Sequence, residues 1–355
     1  MGLCSFKCLG PTPEFLRNLQ ISEELRAYRR SRSRFLSFIL FGLPGSGKST
    51  FLSQFMFHSG KQADFEEGKI NVQMNIILWM QQLVREDVNH NANCPDEVEE
   101  LLSWTSVRQL DKSDISTLKV IWQDSSVQNL WKNRYKYNLQ VEDSLEYLMD
   151  LVDKVDFQNI GGVGDPLYLR LRRKPENSVK ISQSRVSAID AEFNEFPAVA
   201  RSLKPIKHLG ILDDVPVIYL IDSSAYDQKV SINGDLVYVH EQAAEDIVAL
   251  SASTRMTALI LVFTKMDILF DKFPKVPFKL ESDWDEDRNL DFHGNTSADA
   301  VEYLFNKMAT LPGVDSAVVY RFDLTLTDTM SCERSFSAMC EIGFRAIWMR
   351  DWVFI

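Results

Sequence analysis

The sequence predicts an α/β fold in which a largely parallel sheet is interrupted by an all-helical insert. The first observation behind this prediction is a set of apolar runs typical of buried strands, at residues 34–41, 215–221, 258–263 and 317–322. Helical stretches such as ADAVEYLFNKMATL separate the later runs, and this alternation builds a parallel sheet with helices on both faces. The second observation is that residues 62–160 hold amphipathic helical patterns and no convincing strand pattern.

The composition is that of a soluble globular protein. The chain has 355 residues, of which 45% are apolar and 25% charged, so it is long enough for two domains and is neither disordered nor collagen-like. The net charge is 39 − 50 = −11, and an acidic surface repels phosphate backbones. We therefore expect no nucleic-acid partner.

The apolar runs and the cysteines indicate a protein on the cytosolic side of a membrane. No apolar run is long enough to span a bilayer, and the N-terminus MGLCSFKCLG lacks the long apolar region of a secretory signal. The five cysteines form no CxxC pair and have no histidines nearby, which argues against zinc. Free thiols in a reducing compartment fit this pattern.

The first eight residues are a candidate site of lipid attachment. Gly2 is a candidate for N-myristoylation, although that motif prefers Ser or Thr at position 6, where this chain has Phe6 with Ser5 one place earlier. Cys4 or Cys8 is a candidate for palmitoylation. The alternative is that both thiols stay unmodified on a flexible tail.

The elements follow one another in a definite order. The stretch ISEELRAYRRSRSR from Ile21 favours a helix, whose arginines either meet anionic lipid or form a solvated face, and it leads into the apolar run RFLSFILF. The insert has helical patterns in INVQMNIILWMQQLVRE, PDEVEELLSW, ISTLKVIWQ and SVQNLWKNR. After Gly161 and Gly162 the pattern changes to the strands VPVIYLI, ALILVF and AVVYRF.

The stretch FGLPGSGKST, residues 41–50, matches the phosphate-binding pattern G-x-x-x-x-G-K-[ST] between a predicted strand and a predicted helix. Gly42 and Gly47 let backbone N–H groups converge on phosphate oxygens without Cβ clashes. Lys48 supplies a positive charge to the terminal phosphates, and Ser49 offers a hydroxyl to Mg²⁺. The sequence therefore predicts a nucleotide site.

The base is indicated by Thr264-Lys265-Met266-Asp267, which follows the apolar run ALILVF and is the T-K-x-D form of the guanine motif N-K-x-D. The carboxylate of Asp267 can accept hydrogen bonds from the guanine N1–H and exocyclic amine, and the stem of Lys265 can lie along the base. Adenine lacks this pair of donors, and leaving a buried carboxylate unpaired is costly. The pattern predicts a preference for guanine.

Together these features resemble the alpha subunit of heterotrimeric G proteins. Residues 118–155 look like the helical-domain signature of that family, and DPLYLRLRR, residues 165–173, resembles the segment that carries its built-in arginine. The resemblance covers nearly the whole chain and implies a Ras-like P-loop GTPase domain with a mostly parallel sheet and an inserted all-α helical domain. The implied division is an N-terminal helix and lipid-anchor segment at 1–34, the Ras-like domain at 35–61 and 166–355, and the helical insert at 62–165.

The resemblance also implies roles for single residues. Arg170 would stabilise charge on the γ-phosphate in the transition state, with Lys48 as the second catalytic residue and Ser49 as the metal ligand. Asp124 and Ser125 would reach across the nucleotide cleft, or else form a plain helix cap. The implied nucleotide-binding set for GTP or GDP, with Mg²⁺, is Gly42, Gly45, Ser46, Gly47, Lys48, Ser49, Thr50, Asp124, Ser125, Leu167, Arg170, Thr264, Lys265, Asp267 and Thr325.

The sequence departs from the family where hydrolysis is carried out. The usual acidic residue of the phosphate loop is replaced by Gly45, which removes an ion-pair partner expected for Arg170. The Mg²⁺-coordinating threonine of the first switch is matched by Arg173, and a guanidinium cannot bind a cation. Either Arg173 or Arg201 could instead pair with the phosphates, or both could face solvent.

The second switch motif D-x-x-G-Q is missing. Between Asp165 and the guanine strand the only glycines are Gly210 and Gly234, and neither has an aspartate three residues before it. The matching stretch is EFPAVARS, residues 195–202, with Arg201 near the position of the water-positioning glutamine. Whether the chain hydrolyses GTP at a useful rate is therefore left open by the sequence.

Three functions are compatible with these residues. The first is a GTP/GDP switch with slow hydrolysis, coupled to a membrane receptor. The second is a hydrolysis-deficient pseudo-GTPase that acts as a scaffold or as a competitor for βγ. The third is a P-loop ATPase or kinase in which VIYLID ends with Asp222 as a Mg²⁺ ligand, although TKMD and the helical insert argue against it.

The implied partners are a G-protein βγ dimer and a seven-helix receptor at a membrane surface. The βγ surface of the family lies largely on the second switch, which is rewritten here, so receptor coupling through the C-terminal RDWVFI is better supported. That apolar tail could also pack against the domain. The expected location is the cytoplasmic face of the plasma membrane, partly in the cytosol.

Overall fold

The computed structural model describes most of the chain outside its N-terminal segment. The residues described are 36–58, 65–87, 93–105, 110–134, 143–152, 180–186, 189–195, 215–232, 235–253, 256–276, 278, 294–314 and 318–352. The expected N-terminal helix and the predicted lipidation sites lie outside them.

Eight strands are described: β1 (Leu36–Gly42), β2 (Lys180–Val186), β3 (Ile189–Glu195), β4 (Val215–Asp222), β5 (Lys229–Ile232), β6 (Asp235–Tyr238), β7 (Met256–Thr264) and β8 (Val318–Asp323). Six of them form one sheet in the order β2-β3-β1-β4-β7-β8. All neighbouring strands in this sheet are parallel except β2, which is antiparallel to β3. The carboxyl ends of β1, β4, β7 and β8 therefore meet at one edge of the sheet.

Ten α-helices are described in the same residues: α1 (Lys48–His58), α2 (Phe65–Asp87), α3 (Pro95–Ser103), α4 (Lys112–Gln123), α5 (Ser125–Lys132), α6 (Ser144–Leu151), α7 (Val239–Ser253), α8 (Met266–Lys272), α9 (Ser297–Ala309) and α10 (Thr329–Trp352). None of them is both long enough and apolar enough to serve as a membrane span. A short 3-10 turn, Ser223–Ala225, follows β4.

Both faces of the sheet are covered by helices, which explains why its central strands are apolar throughout. In β1, Ile39 and Phe41 face the core built with α7 and α9, whereas Phe38 and Leu40 face the core built with α1 and α10. Successive residues of a strand point to opposite faces, so a strand buried on both sides cannot show polar alternation. The second core is rich in aromatic contacts, including the rings of Phe51 and Phe336 at 4.9 Å.

Helices α2–α6 share a hydrophobic core of their own. Its buried members come from residues 72–152 and include Ile76, Met80, Leu118, Trp131 and Leu148. The start of α4 is fixed by a capping box, in which Asp111 and Asp114 each accept a hydrogen bond from the other's backbone N–H. These helices lie within the predicted insert, while its boundaries at 62 and 165 fall outside the described residues.

The fold class predicted from the sequence is confirmed. The strands expected at 34–41, 215–221, 258–263 and 317–322 appear as β1, β4, β7 and β8 with shifts of at most two residues. Strands β2 and β3 and the hairpin of β5 and β6 were not predicted. In β3 the apolar residues Ala191 and Phe193 are buried and alternate with polar residues. This alternation of apolar and polar residues is the sequence pattern that could have predicted the strand.

The cysteines of the described residues are free thiols, as predicted. Cys94, Cys332 and Cys340 are buried and form no disulfide. Burial and the nearby Asp328 raise the pKa of Cys332 to about 12, and burial raises the pKa of Cys340 to about 12. Both thiols are therefore protonated at neutral pH and are poor nucleophiles.

Candidate functional site

The phosphate loop connects β1 to α1, and its glycines are required by close contacts. A Cβ on Gly42 would lie 2.5 Å from the Ser46 hydroxyl and 2.7 Å from the Leu220 carbonyl oxygen. A Cβ on Gly47, whose φ is +94°, would lie 2.8 Å from a methyl carbon of Leu326. Larger residues at these two positions would force the loop open. The loop is thus packed tightly on its protein side.

Lys48 is the first residue of α1, and its side chain folds back over the loop. Its Nζ donates hydrogen bonds to the carbonyl oxygens of Gly42 at 2.6 Å and Leu43 at 3.2 Å. The ammonium is therefore held beside the loop, next to the N-terminus of α1. A helix N-terminus presents backbone N–H groups and a partial positive charge, which favours an anion there.

Three hydroxyls accompany this lysine. Ser46 is buried, and its Oγ has no hydrogen-bond partner among the described residues, so after rotation about χ1 a phosphate oxygen could satisfy it. Ser49 and Thr50 lie half-buried in the first turn of α1, and the Ser49 carbonyl accepts a hydrogen bond from Ser53 at 2.8 Å. The side chains predicted to bind phosphate and metal are thus together on one helix end.

Thr264, the last residue of β7, ties the guanine motif to the phosphate loop. Its hydroxyl is buried, and its single proton is shared between the Ser46 carbonyl oxygen at 2.8 Å and the Ile221 carbonyl oxygen at 3.1 Å. Next in the chain, Lys265 has a left-handed backbone with φ of 54°, and α8 begins after it. Asp267 is exposed in the first turn of α8. The segment from 264 to 267 therefore lies beside the phosphate loop.

Replacing Thr264 with valine tests this tie. We expect the free energy of unfolding to fall by about 1–2 kcal/mol, because the Ser46 and Ile221 carbonyls lose a donor in a buried place. Urea denaturation at pH 7 measures the change. Thr310→Val is the matched control, since its hydroxyl donates to the Asn306 carbonyl at the end of α9. Equal losses in the two variants would contradict the prediction.

The segment after β8 completes the arrangement. The N–H of Leu324 donates to the Phe263 carbonyl oxygen at 2.7 Å, which places this segment beside the end of β7. Gln54 of α1 donates to the Leu326 carbonyl at 2.8 Å and to the Thr329 hydroxyl at 3.3 Å. Thr325 lies half-buried between these anchored residues. The phosphate loop, the guanine motif and the Thr325 segment thus converge at one edge of the sheet, where ligands of α/β proteins bind.

Asp124 acts as a helix cap in the insert. One carboxylate oxygen accepts from the N–H groups of Ser126 at 2.8 Å and Val127 at 3.3 Å, and the other accepts from the N–H of Asn93 at 3.1 Å. The cap predicted as the plain alternative is therefore present. Ser125 is exposed at the first position of α5. A contact of either residue with nucleotide stays a prediction.

These hydrogen bonds give stability that depends on pH. Partial burial raises the pKa of Asp124, but the bonds from Ser126, Asn93 and Val127 outweigh it and lower the pKa from 3.8 to about 2. Because the folded pKa is the lower one, the stabilisation is complete above the ordinary carboxyl pKa and is lost as the pH falls toward 2.

Asp124→Ala is therefore expected to lower the free energy of unfolding by about 1 kcal/mol at pH 7. The difference from the wild type should narrow in urea titrations as the pH falls from 5 toward about 2. Glu99→Ala, which removes an exposed carboxylate from α3, is the control. A difference for Asp124→Ala that stays constant over this range would contradict the prediction.

Several predicted site residues lie outside the described residues: Leu167, Arg170, Arg173, Arg201, Gly2 and Cys4. Gly45 is described, and a Cβ there would meet nothing within 4 Å. The absence of the acidic side chain thus leaves open space beside the loop. Among the described residues no group of three or more His, Cys, Asp or Glu side chains could hold a metal ion. Ser49, the metal ligand that the family resemblance implies, is among the described residues.

Two residues of the site were not predicted from the sequence as parts of it, and a third was predicted in a different role. Gln54 and Leu326 link α1 to the segment after β8, and Asp222 forms an ion pair with Lys265 at 2.8 Å. A buried glutamine on the apolar helix FLSQFMF was a signal for the first link. Asp222 was weighed as a Mg²⁺ ligand, but its ion pair and its hydrogen bonds from Ser224 occupy both carboxylate oxygens.

Comparison with known proteins agrees with this geometry. The profile of the family described as G-protein alpha subunit matches residues 16–343. A guanine nucleotide-binding protein subunit alpha of Cochliobolus heterostrophus is 23% identical over 340 residues, which cover 92% of this chain and 93% of the relative. One of Emericella nidulans has the same identity and coverage, and the G-protein complex alpha subunit gpaA of Aspergillus fumigatus is 22% identical over 344 residues. The similarity runs through the sheet, the insert and the converging segments alike.

Proposed function

This chain belongs to the G-protein alpha subunit family, and we propose that it is a guanine nucleotide-binding signal transducer in which GTP hydrolysis is slow. The observation that carries the binding function is the convergence of the phosphate loop, the Thr264–Asp267 motif and the Thr325 segment at one edge of the sheet. The slow rate is inferred from the sequence of the switch regions.

Each described group has a distinct task when nucleotide is bound. Lys48 and the backbone N–H groups at the start of α1 neutralise and orient the phosphates. Asp267 accepts from the two donors on the guanine edge, and Lys265 lies along the base. Thr264 holds the base-reading and phosphate-reading segments at a fixed separation. Affinity and base selectivity thus come from preorganised backbone and side chains.

Hydrolysis would depend on residues that are altered or lie outside the described part of the chain. Arg170 matches the arginine that stabilises transition-state charge, a contribution that can reach about 10³-fold. Arg201 lies near the position of the glutamine that would orient the attacking water, and a guanidinium accepts neither a proton from water nor a hydrogen bond. We therefore expect binding to persist while turnover is strongly reduced.

A magnesium ion bound with the nucleotide fits only part of the residues present. The Ser49 hydroxyl is a suitable oxygen ligand, and Mg²⁺ commonly completes its shell with phosphate oxygens and water. Arg173 replaces the second hydroxyl ligand and cannot coordinate a cation. When bound, the ion would neutralise phosphate charge. A dependence of affinity on Mg²⁺ weaker than that of an intact site is the expected consequence.

The partners and the location belong to the same proposal. A seven-helix receptor would engage the C-terminal RDWVFI, whose last three residues lie outside the described part of the chain. Upstream on α10, Phe344 is an exposed aromatic residue. A βγ dimer would meet the altered second switch and is expected to bind more weakly. Acylation at Gly2 or Cys4 would hold the protein at the cytoplasmic face of the plasma membrane.

Two measurements test this function. Titration with fluorescent GDP and GTP analogues, with and without EDTA, should show binding, and excess ATP should not compete. Single-turnover phosphate release should be slow and should fall further in Arg170→Ala but not in Arg345→Ala, which removes an exposed arginine paired with Glu341. Absence of guanine nucleotide binding would refute the proposal. Binding with no phosphate release in either variant would favour the scaffold or βγ competitor.

A further inference from the structure

Asp222 ends β4 and lies directly opposite Thr264 in the register of β4 with β7. Its side chain is 13% exposed, and both of its carboxylate oxygens have partners. One oxygen accepts from the N–H of Ser224 at 3.0 Å and from its hydroxyl at 2.6 Å. The other forms the ion pair with Nζ of Lys265 at 2.8 Å. The hydrogen bonds from Ser224 therefore fix the orientation of the carboxylate that pairs with Lys265.

The 3-10 turn that follows Asp222 is anchored to α8. Nζ of Lys272, the last residue of α8, donates to the Ser224 carbonyl oxygen at 2.8 Å and forms an ion pair with Asp227. The Lys272 side chain is only 2% exposed, so these bonds are shielded from water. Helix α8 is thus tied to the turn after β4 at both ends, by Lys265 before it and by Lys272 at its end.

We propose that Asp222 is a positioning residue of the guanine site, which acts by holding the ammonium of Lys265 and thereby fixing the course of its aliphatic stem. This inference rests on the function proposed above, because the stem is the part of Lys265 that lies along the base. A lysine side chain has many rotamers, and ordering it on binding opposes association. Because Asp222 already orders the Lys265 side chain in the free protein, less conformational entropy is lost when nucleotide binds.

The left-handed backbone of Lys265 makes such a partner more important. With φ of 54°, the residue turns the chain out of β7 and into α8, and its side chain is 23% exposed. Asp222 sits at the end of the neighbouring strand and thus directs the ammonium back toward β4. The same restraint supports selectivity for guanine, because an ordered Lys265 stem presents one defined surface to the base.

The first arm of the test measures the position of Lys265 without nucleotide. Full-length protein is treated with sulfo-NHS-acetate, and the acetylation rate of each lysine is followed by peptide mass spectrometry. Asp222→Asn keeps the shape and the acceptor for Ser224 and is expected to raise the rate at Lys265 on the order of threefold. Asp271→Asn, which removes the partner of Lys275 in an exposed ion pair, is the control and should leave Lys265 unchanged.

The second arm measures affinity for a fluorescent GDP analogue in a double-mutant cycle. Asp222→Asn should weaken binding on the order of tenfold in the wild-type background and less than about twofold in the Lys265→Met background. An unchanged acetylation rate at Lys265, or equal losses of affinity in the two backgrounds, would overturn the proposal. If the wild type binds no guanine nucleotide, the proposed function fails, and the acetylation rates alone then support or overturn the positioning of Lys265.

Discussion

Lys48→Ala is expected to reduce the affinity for GDP and GTP by at least about 100-fold, because two or more charge-assisted hydrogen bonds to phosphate are lost. In the structure Nζ of Lys48 is held by the carbonyl oxygens of Gly42 and Leu43, beside the N-terminus of α1. The ammonium is thus already held at the loop in the free protein. Titration with fluorescent analogues at fixed salt measures the loss.

Two further variants distinguish a loss of phosphate binding from a loss of folding. Lys275→Ala removes an exposed lysine whose partner is Asp271 at 2.6 Å, and it should bind as the wild type does. Lys48→Met retains most of the aliphatic stem while removing the ammonium, and a far-UV circular dichroism spectrum like that of the wild type would show that the variant is folded. An affinity of Lys48→Met equal to that of the wild type would show that the phosphates are bound elsewhere.

Asp267→Asn is expected to weaken GDP binding by about 100-fold and to make XDP the preferred ligand. A carboxylate only accepts hydrogen bonds, which suits the N1–H and the exocyclic amine of guanine. A carboxamide offers one acceptor and one donor, which suits the N1–H and the 2-oxo group of xanthine. Competition of GDP, XDP and ADP against a fluorescent analogue measures the exchange of preference.

The position of Asp267 allows its effect on base recognition to be measured separately from any effect on folding. It is exposed in the first turn of α8, so its replacement should leave the fold intact. Asp271→Asn, one turn further along the same helix, is the matched control and should keep the preference for GDP. Equal loss of GDP and XDP binding in Asp267→Asn would mean that the residue supports the helix instead of reading the base.

The strands that could be predicted from the sequence are those that consist of continuous apolar runs. Strands β1 and β7 are apolar on both faces because helices cover both sides of the sheet, and such runs are visible without any tertiary information. Strand β2, KISQSRV, is an edge strand with mostly polar residues, and nothing in seven such residues distinguishes it from a loop. Its pairing with β3 decides its structure.

The candidate site shows the same division. The glycines, Lys48 and the Thr264–Asp267 motif could be predicted, because their spacing along the chain is itself the signal. The pairing of Asp222 with Lys265 could not, since it joins the ends of two strands that are neighbours only in the folded sheet. The same holds for Gln54, whose partners Leu326 and Thr329 are far along the chain.

The link made by Gln54 also has a mechanical meaning. One amide group joins α1, which begins at Lys48 of the phosphate loop, to the first residue of α10, and Leu326 beside it packs against Gly47. A displacement of the last helix along its axis would pull this amide, and the strain would reach the phosphate loop within one side-chain length. The position of the last helix and the conformation of the phosphate loop are therefore coupled through a single side chain.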